Sequence, residues 1–281
     1  MLMELTAQGL VRGFGKHVAV AHADVTLTGG RITGLIGPNG AGKTTLLLML
    51  AGLLAADAGS IRIDGETPGD AELRREIGWM PDTFGTWDSL TATEILTAFG
   101  RLYGESTARA RHRAAELLEL VHLTEFSRRP AQELSRGQKQ RLGFARALVH
   151  RPRVLLLDEP ASGMDPRSRI DLRDQLRALA DDGCAIMVSS HILTELSEMV
   201  DDVIAMTAGR THPPAASHGP RWRIREVGQP MNTAPTLTFP DEQHAADHLA
   251  ELIAAGARIA EFSRVTAELE ESYIALDADR T

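Results

Sequence analysis

Residues 31–54 read RITGLIGPNGAGKTTLLLMLAGLL, and this stretch decides the fold. The apolar run RITGLIG reads as a strand. The turn GPNGAGKTT at 37–45 fits the phosphate-loop pattern, with Gly37, Gly42, Lys43 and Thr44 at the required spacing. The run TTLLLMLAGLL then reads as a buried helix. Strand, glycine-rich turn and helix in that order let several backbone N–H groups converge on one anion. The helix presents its positive N-terminal end to the same phosphates. Lys43 supplies a point charge between the β- and γ-phosphates, and the Thr44 hydroxyl is a ligand for Mg²⁺. The candidate nucleotide-binding set is Gly37, Pro38, Asn39, Gly40, Ala41, Gly42, Lys43, Thr44 and Thr45. The chain prefers arginine to lysine throughout, yet a lysine stands here.

A second anchor lies downstream, at 154–160, in VLLLDEP. A short, wholly apolar run is what a central parallel strand buried on both faces requires. It puts Asp158 and Glu159 at the C-terminal end of that strand, where open α/β sheets bind ligands. There Asp158 is placed to hold Mg²⁺ through water, and Glu159 to orient and polarise an attacking water. Taken alone, two acids before Pro160 read equally well as a polar strand end entering a turn. Paired with the phosphate loop, they read as catalytic. Together the two motifs indicate a nucleoside triphosphate and Mg²⁺. Helicases, kinases, GTPases and motors share them, so the base remains open.

Working outward, residues 1–36 contain alternating runs split by glycines and read as strands, and GSIRIDGE reads as another closed by a turn. From about Ser89 to His150 the spacing becomes helical, as in RHRAAELLELVHL. After VLLLDEP come a helix at about 167–181, the strand AIMVSS, a helix at about 192–200 and the strand DVIAMT. Such alternation implies a mostly parallel sheet. The stretch THPPAASHGP at 211–220 reads as a linker or surface loop. Beyond it, RWRIREV, TLTFP, DEQHAADHLAELIAAG, ARIAEFS and a final helical run ending at Leu276 form a small α/β extension. That extension is strongly acidic and carries most of the net charge of -8. The charge disfavours nucleic acid as a partner, because phosphate binding wants a basic face. The one cysteine, Cys184, excludes an internal disulfide, suggests a reducing compartment and reads as a small buried apolar residue. The N-terminus MLMELTAQGLVRG lacks a secretory pattern. The longest apolar stretch, from Leu46 to Ala56, falls short of the roughly 20 residues that span a bilayer. Action at a membrane would need another chain to supply the spans.

The base and the machine are narrowed by LSRGQKQR at 134–141, just before the carboxylate strand. On its own this is a Ser-capped basic helix as readily as an anion site. In its place between the two motifs it resembles the Leu-Ser-Gly-Gly-Gln signature of the ATP-binding-cassette (ABC) ATPases, with Leu134, Ser135, Gly137 and Gln138 matching and Arg136 replacing the first Gly. Further matches follow: His191 in SSH resembles the switch histidine, Asp165 in SGMDP the loop that crosses the dimer interface, and Phe14 in VRGFGKH the aromatic that stacks on adenine. In IGWMPD, Asp82 stands where the family usually has a Gln that touches Mg²⁺ and the membrane partner. The likeness covers roughly residues 3–210.

That resemblance implies an α/β fold: a P-loop NTPase with a mostly parallel core sheet, an antiparallel β subdomain, an inserted helical subdomain at about 85–150 and a small C-terminal α/β extension. The implied domains are a cassette at 1–210, a linker at 211–220 and an accessory extension at 221–281. It further implies two copies meeting head to tail, ATP and Mg²⁺ held between one phosphate loop and the facing signature residues Ser135, Gly137 and Gln138. Glu159 and His191 would carry the hydrolysis, and Thr44, Asp158 and Asp82 would face the metal. The partners are a second nucleotide-binding subunit and a separate transmembrane permease, which puts the chain on the cytoplasmic face of the cell membrane. The layout, with the extension ending in LEESYIAL, resembles the subfamily that serves exporters. A soluble cassette ATPase of translation or DNA repair, and a non-catalytic cassette, are the competing readings. The first usually carries two cassettes or long insertions, and the second would lack Lys43, Glu159 or His191.

Overall fold

In the computed structural model, the described residues are 3–83, 85, 89–191, 196, 199–212, 221–230, 234–239 and 241–264. They form two compact units, Met1–His212 and Pro213–Thr281.

The first unit is organised by a nine-stranded sheet. Strands β1 (Glu4–Phe14), β2 (His17–Thr28) and β4 (Ala58–Ile63) pair antiparallel around β1. Strands β3 (Ile32–Ile36), β5 (Ile77–Met80), β6 (Val154–Asp158), β7 (Ala185–Ser190) and β8 (Asp202–Thr207) run parallel in the order β8-β3-β7-β6-β5. The short β9 (Arg210–His212) joins the two halves, antiparallel to β8 and parallel to β2 at His22. Every residue of β3, β6 and β7 is buried. These strands are covered on both faces, which is why ITGLI, VLLLD and AIMVSS show no polar alternation. Helix α1 (Lys43–Leu50) leaves the end of β3 and buries Leu46, Leu47 and Leu50 against Val20, Leu35, Leu156 and Met187. Each such leucine contributes about 1.5–3 kcal/mol through removal from water. Cys184 is buried just before β7, and burial pushes its thiol pKa up to about 12, so it stays a neutral, small side chain.

The helical part holds α3 (Ala92–Leu102), α4 (Thr107–Leu120) and α5 (Arg136–Ala147). Each begins at a hydroxyl cap: Thr91, Ser106 and Ser135 accept from the backbone N–H three residues on. Helices α3 and α4 approach closely because residue 100 is glycine. A Cβ there would stand 2.9 Å from that of Ala110. Helix α6 (Pro166–Asp181) follows β6, with Asp165 as its cap and Pro166 in the first turn.

Helix α2 (Asp70–Glu76) and strand β5 lie where the sequence reading places no element. The helix has seven residues and the strand four, too short for a period to register. Strand β9 runs two residues into the stretch read as linker, because Thr211 is drawn in by Asp24. Its hydroxyl accepts from Asp24 N at 2.8 Å and donates to Asp24 O at 3.0 Å. Most of the expected helix at about 192–200, residues 213–220 of the expected linker and the final run to Leu276 lie outside the described residues.

The second unit holds an antiparallel sheet of β10 (Arg221–Glu226), β11 (Thr236–Thr238) and β12 (Ile259–Arg264), in the order β11-β10-β12. Its helix, α7 (Glu242–Ala254), is capped by Asp241. Trp222 stacks on Phe262 at 4.7 Å, and Ile224 and Ala245 are buried. The runs RWRIREV, TLTFP, DEQHAADHLAELIAAG and ARIAEFS thus supply the expected strands and helix.

Candidate functional site

The turn between β3 and α1 forms one wall of an open cleft of about 300 Å³, lined by residues 38–45 together with His17, Ala19, Asp82, Asp158 and Glu159. Two glycines make the turn possible. A Cβ on Gly37 would lie 2.2 Å from the Met206 carbonyl oxygen. One on Gly42, where φ is 104°, would lie 2.3 Å from that of Ala19. The left-handed backbone at Gly42 lets the loop close directly onto the first turn of α1.

Lys43 opens that helix and is buried, with Nζ donating to the Gly37 carbonyl at 2.7 Å. The same Nζ lies 3.9 Å from Glu159 Oε1. Burial pulls the lysine pKa down from its ordinary value, while Glu159 and Asp158 pull the other way. Thr44 donates from its hydroxyl to Asp158 Oδ2 at 2.6 Å. Asp158 is itself buried, and its Oδ1 accepts from Ser189 Oγ at 2.5 Å.

Glu159 stands one residue past the end of β6 with φ 49°, a left-handed conformation that costs a non-glycine residue about 1–3 kcal/mol. Its N–H donates to Ser189 Oγ at 3.0 Å. Its side chain is 15% exposed, and Oε2 lies 2.8 Å from His191 Nδ1. Burial raises its pKa above the usual carboxylate range, and His191 and then Lys43 oppose that rise. The arrangement is a half-buried carboxylate set between a lysine and a histidine, at the mouth of an anion-binding turn.

The structure gathers the phosphate loop, Asp82, Asp158, Glu159 and His191 in one place. It does not bring Ser135, Gly137, Gln138, Asp165 or Phe14 to that cleft's lining. Ser135 and Gln138 engage each other as a capping box: Ser135 N donates to Gln138 Oε1 at 2.8 Å and Gln138 N to Ser135 Oγ at 3.3 Å. Asp165 caps α6 by accepting from Ser168 N at 3.0 Å and its hydroxyl at 2.7 Å. Phe14, 49% exposed, ends β1 with the Arg12 guanidinium 5.0 Å from its ring centroid. Arg12 is held in turn by Asp57 at 2.7 Å. The Asp82 carbonyl accepts from the buried Gln140 Nε2 of α5 at 3.2 Å, so the helical part and the cleft are in contact through it.

Sequence reasoning missed Ser189, which bridges Asp158 and Glu159, and His17 and Ala19, which line the cleft. In sequence Ser189 is a polar residue near the end of a buried strand, a weak signal, and its register with Asp158 shows only in the fold. His17 and Ala19 give no such signal, because only the β1–β2 turn carries them to the phosphate loop.

Residues 20–162 match the family model described as ABC transporter, a span that includes the phosphate loop, the LSRGQ segment and both carboxylates. The chain belongs to the ABC transporter family. It is an ABC ATPase of the ATP-binding-subunit type. Over 205 residues it is 39% identical to the uncharacterized ABC transporter ATP-binding protein YxlF of Bacillus subtilis (strain 168), covering 73% of this chain and 68% of that protein. Over 209 residues it is 43% identical to the probable multidrug ABC transporter ATP-binding protein YbhF of Escherichia coli (strain K12), covering 73% of this chain but 36% of that protein. Among solved structures, the dimeric post-hydrolysis state of the ATP-binding cassette MJ0796 bound to ADP and Pi superposes with a TM-score of 0.68 at 25% identity, covering 74% of this chain and 96% of that one. His191 and Asp165 lie beyond the span of the family model.

Among the described residues, no group of three or more His, Cys, Asp or Glu side chains is arranged to hold a metal. The Thr44 hydroxyl and the Asp158 carboxylate nonetheless suit Mg²⁺, which takes one or two protein oxygens and fills the rest with water and substrate phosphates. No described helix is long and apolar enough to cross a membrane.

Proposed function

We propose that this ABC cassette binds ATP with Mg²⁺ at the Lys43 turn, closes head to tail on a second cassette, and hydrolyses the nucleotide to drive export through a separate permease. One observation carries the catalytic part: a half-buried Glu159 held between Lys43 and His191, beside the Thr44–Asp158 pair. The backbone N–H groups of residues 39–45 bind the phosphates, and Lys43 holds charge that develops on the γ-phosphoryl group. Glu159 accepts a hydrogen bond from the attacking water and aims it in line, and His191 fixes the orientation of that carboxylate. Thr44 and Asp158 would hold Mg²⁺, which would supply charge neutralisation for the phosphates, and Asp82 lines the same cleft. Phe14 stacks on the adenine, its ring backed by Arg12.

The residues outside the cleft support the dimer. Ser135, Gly137 and Gln138 open α5 with a helix N-terminus, a ready anion site, and they do not line the nucleotide cleft of their own chain. A facing copy completes the site, and Asp165 lies on the loop that meets it. The dimeric structure of the MJ0796 cassette supports this arrangement, and the likeness to YbhF, a probable multidrug ABC transporter ATP-binding protein, supports export of drug-like solutes. The cassette then works at the cytoplasmic face of the membrane, held there by the permease.

Steady-state phosphate release by the purified chain tests the catalytic reading. Activity should require Mg²⁺ and fall by roughly a hundredfold or more in Lys43→Ala. Equal turnover in that variant would remove the phosphate-loop assignment.

A further inference from the structure

We infer that Arg136 is a positioning residue that ties the signature helix to the loop carrying the water-orienting carboxylate. The half-site a chain offers to its neighbour and the half-site that holds its own Glu159 then move as one piece. The inference rests on the function proposed above.

Arg136 is the first residue of α5, where the family signature has a glycine. Its Nη2 donates to Ser162 Oγ at 2.9 Å. The side chain reaches there by crossing Gly163, whose φ is +74°. A Cβ at Gly163 would stand 2.8 Å from Arg136 Nε and 3.0 Å from Cδ, so a bare Cα is what admits the guanidinium. Ser162 N donates to the Glu159 carbonyl at 3.0 Å, and Met164 N to that of Ala161 at 3.1 Å. Two hydrogen bonds therefore lead from the N-terminus of α5 to the backbone of Glu159.

That backbone needs outside support. Glu159 is in the left-handed region, and such a conformation persists only where its surroundings over-determine it. Ser189 holds its N–H side. Asp165, capping α6, fixes the far end of the loop. Arg136 grips the middle and joins the loop to the helical part. A lysine there would lose the planar fork that both spans Gly163 and donates to Ser162. A glycine would leave Ser162 without this donor.

Two measurements on the full chain decide it, each made on the wild type, Arg136→Ala, Ser162→Ala and the double variant. Amide hydrogen exchange reports the tether without nucleotide. Both single variants should speed exchange across residues 161–164 by about threefold or more, while the amides of β6 stay protected. Steady-state ATPase reports positioning. Each single variant should lower kcat by roughly three- to tenfold with little change in KM, and the double variant should be no worse than either single one. Unchanged exchange would overturn the tether. Altered exchange with unchanged kcat would leave a structural contact and overturn the positioning role. A loss in Arg136→Ala that Ser162→Ala does not share would mean the guanidinium acts elsewhere, on nucleotide held by the facing copy, and would also overturn it. A wild type with no ATPase at all would sink the function proposed above, while the exchange measurement would still judge the tether.

Discussion

At the scale of single residues, the electrostatics of Glu159 make a pH prediction. Burial raises its pKa first and most, and His191 opposes that. The active form is the carboxylate, so hydrolysis should fall on the acid side as Glu159 takes up a proton. That fall should begin above the pH at which an exposed glutamate titrates. Removing His191 removes the group that holds the pKa down. In His191→Ala the acid limb of the residual kcat should therefore move to higher pH, and a limb that stays put or moves lower would contradict the pairing. Much at this scale was legible. Lys43, Thr44, Asp158 and Glu159 were named from motif and position and His191 from the family resemblance; the structure sets the first four around one cleft and His191 against Glu159. Ser189 was not, because a serine in AIMVSS reads as one more residue of a buried strand until its register with Asp158 is known. His17 was not, because the contact depends on how a hairpin folds over the loop.

At the scale of elements, the phosphate turn depends on the absence of side chains. Gly42→Ala would force a Cβ to within 2.3 Å of the Ala19 carbonyl and would require a left-handed alanine at φ 104°. The strain alone is about 1–3 kcal/mol, and the clash adds to it. Gly42→Ala should lower the melting temperature and weaken ATP binding by at least about tenfold, measured by titration of a fluorescent nucleotide. Normal affinity would mean that the turn tolerates a different path. The longer elements were readable because their periods are long enough to register: the leucines of α1, the spacing within α4, the apolar run of β6. Helix α2 and strand β5 were not, since neither has the length to show a period. Ser135 shows how one residue carries two readings. The capping box with Gln138 is an ordinary way to start a helix, and the same exposed N-terminus is what an anion held by another chain requires.

At the scale of the whole molecule, every residue that lines the cleft belongs to the first unit, Met1–His212. A chain ending after His212 should bind ATP within about twofold of the full chain, because that unit has its own core and its own site. A large loss would show that the second unit supports the cassette. The acidity of that second unit and its α/β make-up were legible from sequence, the antiparallel pairing of its strands was not, and neither was its task, since no residue pattern within it points to a ligand. The account turns on the claim that one chain holds only half of each nucleotide site. Glu159→Gln keeps the size and the His191 contact of the side chain but removes the charge that orients water, so bound ATP should persist. Sedimentation velocity of this variant with saturating ATP and Mg²⁺ is the most direct measurement. The account predicts a dimer that forms with ATP and dissolves when ADP replaces it, and a species that stays monomeric with ATP and Mg²⁺ would contradict it.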